Sequence, residues 1–584
     1  MQIRNEIRDS LWRRPIWLLL GLFAIEGIVF YFRAVTAVAP YYPPGYDQVA
    51  YLTTAYDLRE AIRAGGIGAV LAPIFRPLMP NTALFPLEGA LISLALGMPR
   101  IGALTVNFLA FCGLQAACFY LFRRLSGQVA IGLVALSQVL IVRTTFGSAG
   151  GMFDFRTDFL AFCAAGLWAL AVLRSGVYYD RRWSLVAGLA CGWLILNRML
   201  SAVYLGPIHL VLLVWFGIAW WRASDAGARA MARVRFFNLI SSGLVIAALS
   251  VVPLIANFRA MYDYYYVSLF VNSEREIRAA ELNLSGFWSH VSYYPRRLLG
   301  AHLGIPWIIF AIALITVAVW LVRSRRASDI ARPAMRAHAT EFGFLAAVIV
   351  VPMVMFNLSL SKSPLIANVL VVPFIALVTI AFATLTRAAD EAPSPVGAAP
   401  YPRAVPLLNA LIVTGLAFAG FVAWAAFVRT GPDLADRLAI NRFNDAIIRY
   451  AVEEASPALV LSVDRVSDYA NAPVVNLRAY ETGAARLAFR GLLGHSIFGL
   501  TREQALAELQ QSDVIVLTEP HGGRMMAYPM NRDIESYWQD LWDWTSANRV
   551  PLATETILGL RHTAFVKPGR RTAGLSPQPF SAKH

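Results

Sequence analysis

The chain has 584 residues, 58% of them hydrophobic, with a mean hydropathy of +0.55 and a formal net charge of +15. Its apolar residues come in runs of roughly twenty, long enough to cross a bilayer as helices, which excludes a soluble globular protein. The basic excess lies in residues 1–429, because residues 430–584 contain 16 Lys and Arg against 17 Asp and Glu. Nucleic acid is therefore not needed as a partner to explain the charge. The composition predicts a polytopic α-helical membrane protein.

About eleven transmembrane helices are predicted, beginning with the apolar segment Trp17–Phe32. This segment follows four arginines and has no small-residue cleavage site, so it is interpreted as a retained first span rather than a signal peptide. The predicted spans are roughly 16–32, 101–122, 128–145, 158–174, 183–197, 199–221, 236–256, 303–322, 341–358, 365–386 and 404–428.

Arginine clusters between these spans indicate the topology. All of them fall on the same side as the N-terminus, and the positive-inside rule makes that side cytoplasmic. We therefore expect an integral protein of a bacterial inner membrane, with a transmembrane domain at 1–429 and an extracytoplasmic domain at 430–584. Two long outer loops are expected at 33–100 and 257–302.

The first outer loop carries a lone carboxylate, Asp47, among tyrosines that include Tyr46 and Tyr51. Residues 43–45 are Pro-Pro-Gly, which stops a helix, so Asp47 is predicted on a turn or at the start of a new helix. The local sequence leaves two roles open, a capping acid and a catalytic base. The later stretch 78–97 is apolar but interrupted by prolines, and it is interpreted as a juxtamembrane or re-entrant helix.

Two acids, Asp154 and Asp158, flank Arg156 at the predicted start of the fourth span. Their spacing would place them on one face of a helix, where two carboxylates repel unless a cation or a shared proton lies between them. The alternative is a solvated helix N-terminus, where acids favour the helix dipole. The four cysteines all lie inside apolar runs and are interpreted as packing residues.

Two basic residues, Arg198 and Lys362, interrupt apolar stretches. Both are predicted on the outer side, against the positive-inside preference, which favours an anion ligand over the alternative of snorkelling to the interface. The second outer loop is rich in aromatic and basic residues, and an interfacial aromatic belt explains most of its tyrosines but not its arginines. His290 and His302 of that loop are interpreted as interfacial hydrogen bonders rather than metal ligands.

After Arg429 the composition becomes that of a soluble α/β domain of about 140 residues, with a disordered basic tail. It lacks a glycine-rich phosphate loop and any Cys/His metal spacing. Strands are predicted at 458–464 and 513–518, helices at 435–455, 501–511 and 533–547, and a last strand or hairpin through Thr554–Val566.

Four segments follow one another in the chain: Tyr46-Asp47-Gln48-Val49-Ala50-Tyr51, Arg156-Thr157-Asp158-Phe159-Leu160-Ala161-Phe162, Leu196-Asn197-Arg198…Gly206-Pro207 and Ser359-Leu360-Ser361-Lys362-Ser363-Pro364…Pro373. In this order they resemble motifs of the GT-C integral-membrane glycosyltransferases, in the branch of the dolichyl-phosphate-mannose–protein mannosyltransferases and lipid A aminoarabinose transferases. The resemblance covers about residues 15–430.

Three features depart from the family pattern. Gln48 stands where the mannosyltransferases have a second acid, and Arg198 stands where a lysine is common. The tyrosine usual after the Lys-Pro signature is absent, since Ile366 and Ala367 occupy that neighbourhood. These departures concern the donor sugar and the acceptor more than the fold.

The resemblance implies a GT-C-like fold and an inverting transfer of a sugar from a polyprenyl-phosphate donor to a hydroxyl of a glycan, lipid or protein acceptor. Asp47 would be the general base. The lipid phosphate would be bound by Arg198, Lys362, Arg59 and Arg143. Outer-loop contacts to substrate would come from Tyr46, Tyr51, Tyr265, His290, Arg296 and Arg297.

The resemblance also bears on cofactors. Asp154 and Asp158 would orient the acceptor, or would join Asp47 around Mg²⁺ or Mn²⁺. Members of the branch often work without a metal, which favours the first role. Two other classes remain as alternatives, a flippase for a lipid-linked sugar and a non-catalytic membrane scaffold. A flippase would show internal repeats and polar residues at mid-membrane, and the sequence has no obvious repeat.

Overall fold

The structure is a computed structural model. It describes residues 2–41, 46–66, 68, 81–147, 149–271, 273–304, 311, 336–358, 362–391, 415, 420, 433–454, 458–465, 467, 469–484, 488–491, 493, 498–519 and 528–568. The side chains of 2–15, 46, 268–270 and 385–391 are outside the description as well.

Helices make up the first part of the chain. They are α1 (Gln2–Arg33, extended by a π-helical turn, Ala34–Val38), α2 (Tyr46–Gly65), α3 (Leu84–Leu96), α4 (Pro99–Ser126), α5 (Val129–Ile141), α6 (Thr157–Arg174), α7 (Arg181–Asn197), α8 (Ser201–Arg222) and α9 (Ala226–Ala256). Next come α10 (Phe258–Met261), a π-helix (Tyr262–Val271), α11 (Glu274–Glu281), α12 (Phe287–Val291), α13 (Tyr293–Arg297), a second π-helix (Leu298–Leu303), α14 (Ala339–Leu358) and α15 (Val371–Glu391). Two 3₁₀ turns lie at Arg143–Phe146 and Ile366–Leu370.

Seven segments of the described chain are helices long and apolar enough to cross a membrane. They are Ile16–Val38, Pro99–Ser126, Thr157–Arg174, Ser201–Arg222, Ala226–Ala256, Ala339–Leu358 and Ile366–Thr384. The predicted count of eleven is therefore not confirmed. The spans expected at 303–322 and 404–428 lie almost entirely outside the described residues, and those expected at 128–145 and 183–197 are helices of only 13 and 17 residues.

Helix α6 forms the centre of the membrane part, because nearly all of its side chains are buried. It packs against α4, α7 and α15. A glycine allows the close approach, since a Cβ at Gly166 would lie 2.7 Å from Leu114 and 2.8 Å from Val372. The stretch expected as a juxtamembrane helix contains the short helix α3, which ends at Gly97 in the left-handed conformation.

The C-terminal part is a small α/β domain, as the composition predicted. It contains α16 (Leu434–Glu453), β1 (Ala458–Val463), α17 (Ala472–Glu481), β2 (Ala488–Gly491), α18 (Arg502–Gln511), β3 (Val514–Glu519), α19 (Pro529–Asn548), β4 (Val550–Ile557) and β5 (Leu560–Val566). The sheet order is β2-β1-β3-β5-β4, with β1 parallel to β2 and β3, and β5 antiparallel to both β3 and β4. The expected strands, helices and hairpin are confirmed, whereas α17 and β2 were not predicted. The boundary near residue 429 and the tail after 568 lie outside the described residues.

This domain sits on the end of the membrane helices at which α2 begins, called here the Asp47 end. The guanidinium of Arg437 donates to the carbonyl of Ala37 (2.6 Å), and the amide of Asn441 donates to the carbonyl of Pro40 (2.8 Å). The hydroxyl of Tyr528 reaches Glu281 of α11 at 3.0 Å. The domain therefore contacts both the end of the first span and the loop between α9 and α14.

Candidate active site

A tight loop before α6 positions the first pair of charges. The carboxylate of Asp154 is buried and accepts hydrogen bonds from the amide of Gly150 and from Nε of Arg156, both at 2.6 Å. A Cβ at Gly151 would collide with the carbonyl of Gly147, so the loop closes this tightly only with glycine there. Burial raises the pKa of Asp154 to about 6, although Arg156 and the amide of Gly150 lower it.

Two amide side chains from neighbouring helices donate hydrogen bonds to the backbone of this loop. Asn107 of α4 donates to the carbonyls of Met152 (3.2 Å) and Asp154 (3.0 Å). Gln48 of α2 is buried and donates to the carbonyl of Phe153 at 3.2 Å. Gln48 therefore ties the first turn of α2 to the loop before α6.

Asp47 lies in the first turn of α2, and its side chain is 62% exposed. Its carboxylate is 3.7 Å from Nη1 of Arg156, so one guanidinium contacts both Asp47 and the buried Asp154. Tyr264 lies within electrostatic reach of Asp47 from the loop between α9 and α14. Among the three candidate acids Asp47 is the one that solvent or substrate can reach.

Asp158 has a different cationic partner. It lies in the first turn of α6, and its carboxylate is 2.7 Å from Nη2 of Arg198, the residue that follows α7. Asp154 precedes the helix, which begins at Thr157, so the two acids do not share a helical face. The expected repulsion is relieved by two separate arginines, Arg156 and Arg198. These five residues, Asp47, Asp154, Arg156, Asp158 and Arg198, are called the acid cluster.

Two tyrosines border the acid cluster. The hydroxyl of Tyr51 accepts a hydrogen bond from the side-chain amide of Asn81 at 2.7 Å. The side-chain oxygen of Asn81 in turn accepts a hydrogen bond from the backbone N–H of Met199, next to Arg198, at 3.2 Å. Tyr265 lies within electrostatic reach of Arg198, Tyr51 and Asp158. The structure therefore brings Tyr51 and Tyr265, both predicted to contact substrate, next to the acid cluster, and Asn81 joins them although the sequence analysis did not single it out.

A second group of residues surrounds Lys362, which is buried just after α14. Its ammonium donates to the carbonyls of Phe356 (3.1 Å) and Asn357 (3.4 Å) and lies 5.2 Å from the ring centre of Tyr294. Burial lowers the pKa of Lys362 to about 8. The pKa of His290 is lowered by burial and by Lys362, so His290 lies near this ammonium. Lys362, Tyr294 and His290 are called the lysine group.

The two groups are contiguous. Tyr294 of the lysine group is within electrostatic reach of Arg198. Asn368, a few residues after Lys362, donates to the backbone carbonyl of Asp158 at 2.8 Å. Carboxylates and basic groups distant in sequence therefore meet at one end of the membrane helices, which is the arrangement that the sequence analysis predicted for them.

The other predicted residues lie apart or are not described. Arg59 is buried in α2, twelve residues and about 18 Å of helix rise beyond Asp47, close to Tyr480 of the C-terminal domain. Arg143 is exposed on the 3₁₀ turn next to Thr144, whose hydroxyl contacts His302 at 2.8 Å.

Two arginines of the second loop make local contacts. Arg296 bonds the hydroxyl of Ser292 at 2.5 Å, and Arg297 stacks 5.3 Å from the ring centre of Tyr293. The side chain of Tyr46 and residues 359–361 of the Lys362 motif lie outside the described residues.

The sequence analysis also missed a buried acid on α3. The carboxylate of Glu88 accepts the indole N–H of Trp193 at 2.7 Å and the amide of Asn197 at 3.5 Å, which ties α3 to the end of α7 just before Arg198. A lone acid in the apolar run 84–96 was the available signal. Among the described residues, no three or more His, Cys, Asp or Glu side chains are grouped to hold a metal ion.

The fold of the chain is similar to those of solved structures. The crystal structure of ArnT, an aminoarabinose transferase, from Cupriavidus metallidurans in the apo state matches with a TM-score of 0.54 at 14% identity, over 94% of this chain and 97% of that one. ArnT from the same organism bound to undecaprenyl phosphate matches with a TM-score of 0.56 at 14% identity, over 96% and 99%. No family model matches the sequence, and no curated protein matches it. The chain has the GT-C fold of membrane glycosyltransferases, which confirms the predicted fold class.

Proposed function

We propose that the protein transfers a sugar from a polyprenyl-phosphate carrier to an acceptor hydroxyl of a glycan, lipid or protein. The transfer would occur on the extracytoplasmic side of a bacterial inner membrane, with the N-terminus in the cytoplasm. The observation that carries the proposal is the exposed carboxylate of Asp47, set beside buried acids that are already paired with arginines. A protein of the same fold that was solved with undecaprenyl phosphate supports the choice of donor.

Asp47 is the proposed general base. Its carboxylate would accept the proton of the acceptor hydroxyl while the hydroxyl oxygen attacks the anomeric carbon. The bond from that carbon to the phosphate oxygen breaks on the opposite face, so the configuration inverts and polyprenyl phosphate leaves with the electron pair. Arg156, at 3.7 Å, would orient Asp47, because the same guanidinium is fixed by the buried Asp154.

Arg198 and Lys362 are the proposed phosphate ligands. Arg198 is held by Asp158, and one of its terminal nitrogens, Nη1, is buried with no partner among the described residues. Guanidinium and ammonium groups stabilise the charge that builds on the leaving phosphate. Arg143, exposed near His302, is a further candidate for the same phosphate.

A divalent cation held by Asp47, Asp154 and Asp158 is not part of the proposal. Asp154 and Asp158 each bond an arginine at 2.6 and 2.7 Å, so a metal would have to displace both guanidinium groups. Acceptor orientation by these two acids would act through the arginines that they hold.

Replacing Asp47 tests the proposed role. Asp47→Asn keeps the size of the side chain and removes the base, and the transfer rate should fall by about 10²- to 10⁴-fold. The measurement is sugar transfer in membranes of a deletion strain, read by mass spectrometry of surface glycans and glycolipids. The matched control is Asp57→Asn, an exposed acid ten residues further along the same helix, which should keep the wild-type rate.

The result that overturns the proposal is wild-type transfer by Asp47→Asn at equal protein level. A flippase would instead move a labelled lipid carrier across liposomes that contain the purified protein, and that movement would survive the Asn substitution.

A further inference from the structure

Four arginines gather where the C-terminal domain meets the membrane helices, away from the acid cluster. Arg33 ends α1, Arg59 lies in α2, Arg100 opens α4 and Arg437 lies in α16. Arg59, Arg100 and Arg437 are each less than 9% exposed. These four residues are called the junction cluster.

Contacts around one carboxylate show that the cluster is continuous. Glu481, at the end of α17, accepts the hydroxyl of Tyr56 at 2.9 Å and lies 3.9 Å from Arg100. Arg59 lies one helical turn after Tyr56 and within electrostatic reach of Tyr480, the neighbour of Glu481. Arg437 interacts electrostatically with both Arg33 and Arg100. Parts of the chain more than 300 residues apart therefore converge here.

Arg100 has hydrogen-bonding capacity that the described residues do not use. Its Nη1 donates to the carbonyl of Ala39 at 3.0 Å, but Nε and Nη2 are buried and have no partner among the described residues. The Nε of Arg59 is also buried and has no hydrogen-bond partner among the described residues. Buried charged donors are costly to leave unbonded, so such groups indicate a missing acceptor.

The local charge favours an anion as that acceptor. The pKa of Arg437 is lowered, first by burial and then by Arg33 and Arg100, which means that its surroundings disfavour a further positive charge. The N-terminus of the 28-residue helix α4, where Arg100 lies, adds the positive end of a helix dipole. Arginine suits a phosphate because its planar fork of donors matches phosphate oxygens.

We propose that the junction cluster binds a phosphate group, with Arg100 as the central ligand. The phosphate of an anionic phospholipid headgroup fits the position, because Arg33 ends the first span and its neighbours Phe32 and Val35 are exposed, apolar and free to contact acyl chains. Inorganic phosphate is the other source of the same chemistry. Bound there, the anion links α1, α4 and the C-terminal domain, and this role is independent of the transfer reaction.

The test uses the full-length protein in nanodiscs of phosphatidylglycerol or of a neutral glycolipid that has no phosphate, with thermal unfolding as the readout. Phosphatidylglycerol should raise the melting temperature of the wild type, and native mass spectrometry should show it retained. Arg100→Gln should weaken retention at least tenfold and remove the difference between the two lipids. The control is Arg63→Gln on α2, whose half-exposed side chain pairs with Glu60 at 2.9 Å, and it should behave as the wild type.

Two further arms identify the source and guard against a folding defect. If inorganic phosphate, compared with chloride at equal ionic strength, raises the melting temperature equally in both lipids, soluble phosphate is the ligand. Arg59→Gln provides a second variant if Arg100→Gln does not fold, and it should weaken the same response. The proposal is overturned if neither phosphate source stabilises the wild type, or if the arginine variants respond as strongly as Arg63→Gln.

Discussion

The acid cluster and the lysine group meet at one site, but their described cations contact different kinds of acceptor. In the acid cluster, Arg156 and Arg198 bond carboxylates at 2.6 and 2.7 Å. In the lysine group, Lys362 lies against backbone carbonyls at the end of α14 and the ring of Tyr294. Bonds from a guanidinium to a carboxylate fix geometry strongly, whereas the flexible stem and rotatable donors of a lysine let its ammonium change acceptors. Arg156 is therefore suited to hold the proposed base Asp47 in place, whereas Arg198 and Lys362 are the residues proposed to receive the phosphate.

The largest expected effect comes from breaking the ion pair that holds Asp154, the most buried carboxylate of the acid cluster. Arg156→Gln leaves the carboxylate of Asp154 with the amide of Gly150 as its remaining described donor. Removing one partner of a buried ion pair costs about 3–5 kcal/mol, so the free energy of unfolding should fall by that order. The measurement is unfolding of the purified protein in detergent micelles.

A double variant and an exposed ion pair serve as controls for this prediction. Adding Asp154→Asn to Arg156→Gln removes the unpaired charge and should recover most of the loss. Arg502→Gln, which breaks an ion pair that is about half exposed in the C-terminal domain, should cost only about 0.2–1 kcal/mol. Equal losses for Arg156→Gln and Arg502→Gln would contradict the importance assigned to the buried pair.

The next effect concerns donor binding by Arg198. A hydrogen bond to a charged group contributes about 1.5–3 kcal/mol, so Arg198→Ala should weaken the affinity for undecaprenyl phosphate by about 10- to 100-fold. Binding of that lipid to protein in nanodiscs is the measurement. Arg442→Ala, which removes an arginine bonded to Glu555 at 2.7 Å in the C-terminal domain, is the control and should bind as the wild type. Unchanged affinity in Arg198→Ala would remove Arg198 from the phosphate site.

The smallest effect is a pH dependence of the lysine group. Burial lowers the pKa of Lys362 to about 8, so its side chain is cationic below that pH and neutral above it. Affinity for undecaprenyl phosphate should therefore fall as the pH rises through 8, by about tenfold per unit at high pH if the ammonium is required.

A charge-retaining variant isolates Lys362 from other titrating groups. Lys362→Arg keeps a cation at every pH used, because the guanidinium does not lose its proton in this range. Its affinity curve should be flat between pH 7 and about 9.5. Identical pH profiles for Lys362→Arg and the wild type would assign the titration to another residue.

Several features could be read from the sequence because they depend on local patterns. Long apolar runs predict helices in a membrane, and short apolar runs bounded by turn residues predict β1, β3 and the final hairpin. The motifs around Asp47, Asp158, Arg198 and Lys362 indicated the GT-C fold, which the solved structures confirm. Helix α17 and strand β2 were missed because their apolar patterns are short and weak.

The partners of the charged residues were decided by the tertiary structure. Asp158 and Arg198 are separated by forty residues, and Arg100 and Arg437 by more than three hundred, so no local pattern could pair them. The amide of Gln48, which stands where an acid was expected, donates a hydrogen bond to the carbonyl of Phe153 in the loop before α6, a contact that the local sequence does not reveal. The sequence by itself determined the membrane class and the candidate residues, because hydropathy and composition are local. Only the packing of helices decided which carboxylate stays exposed, because burial and pairing depend on all the neighbours at once.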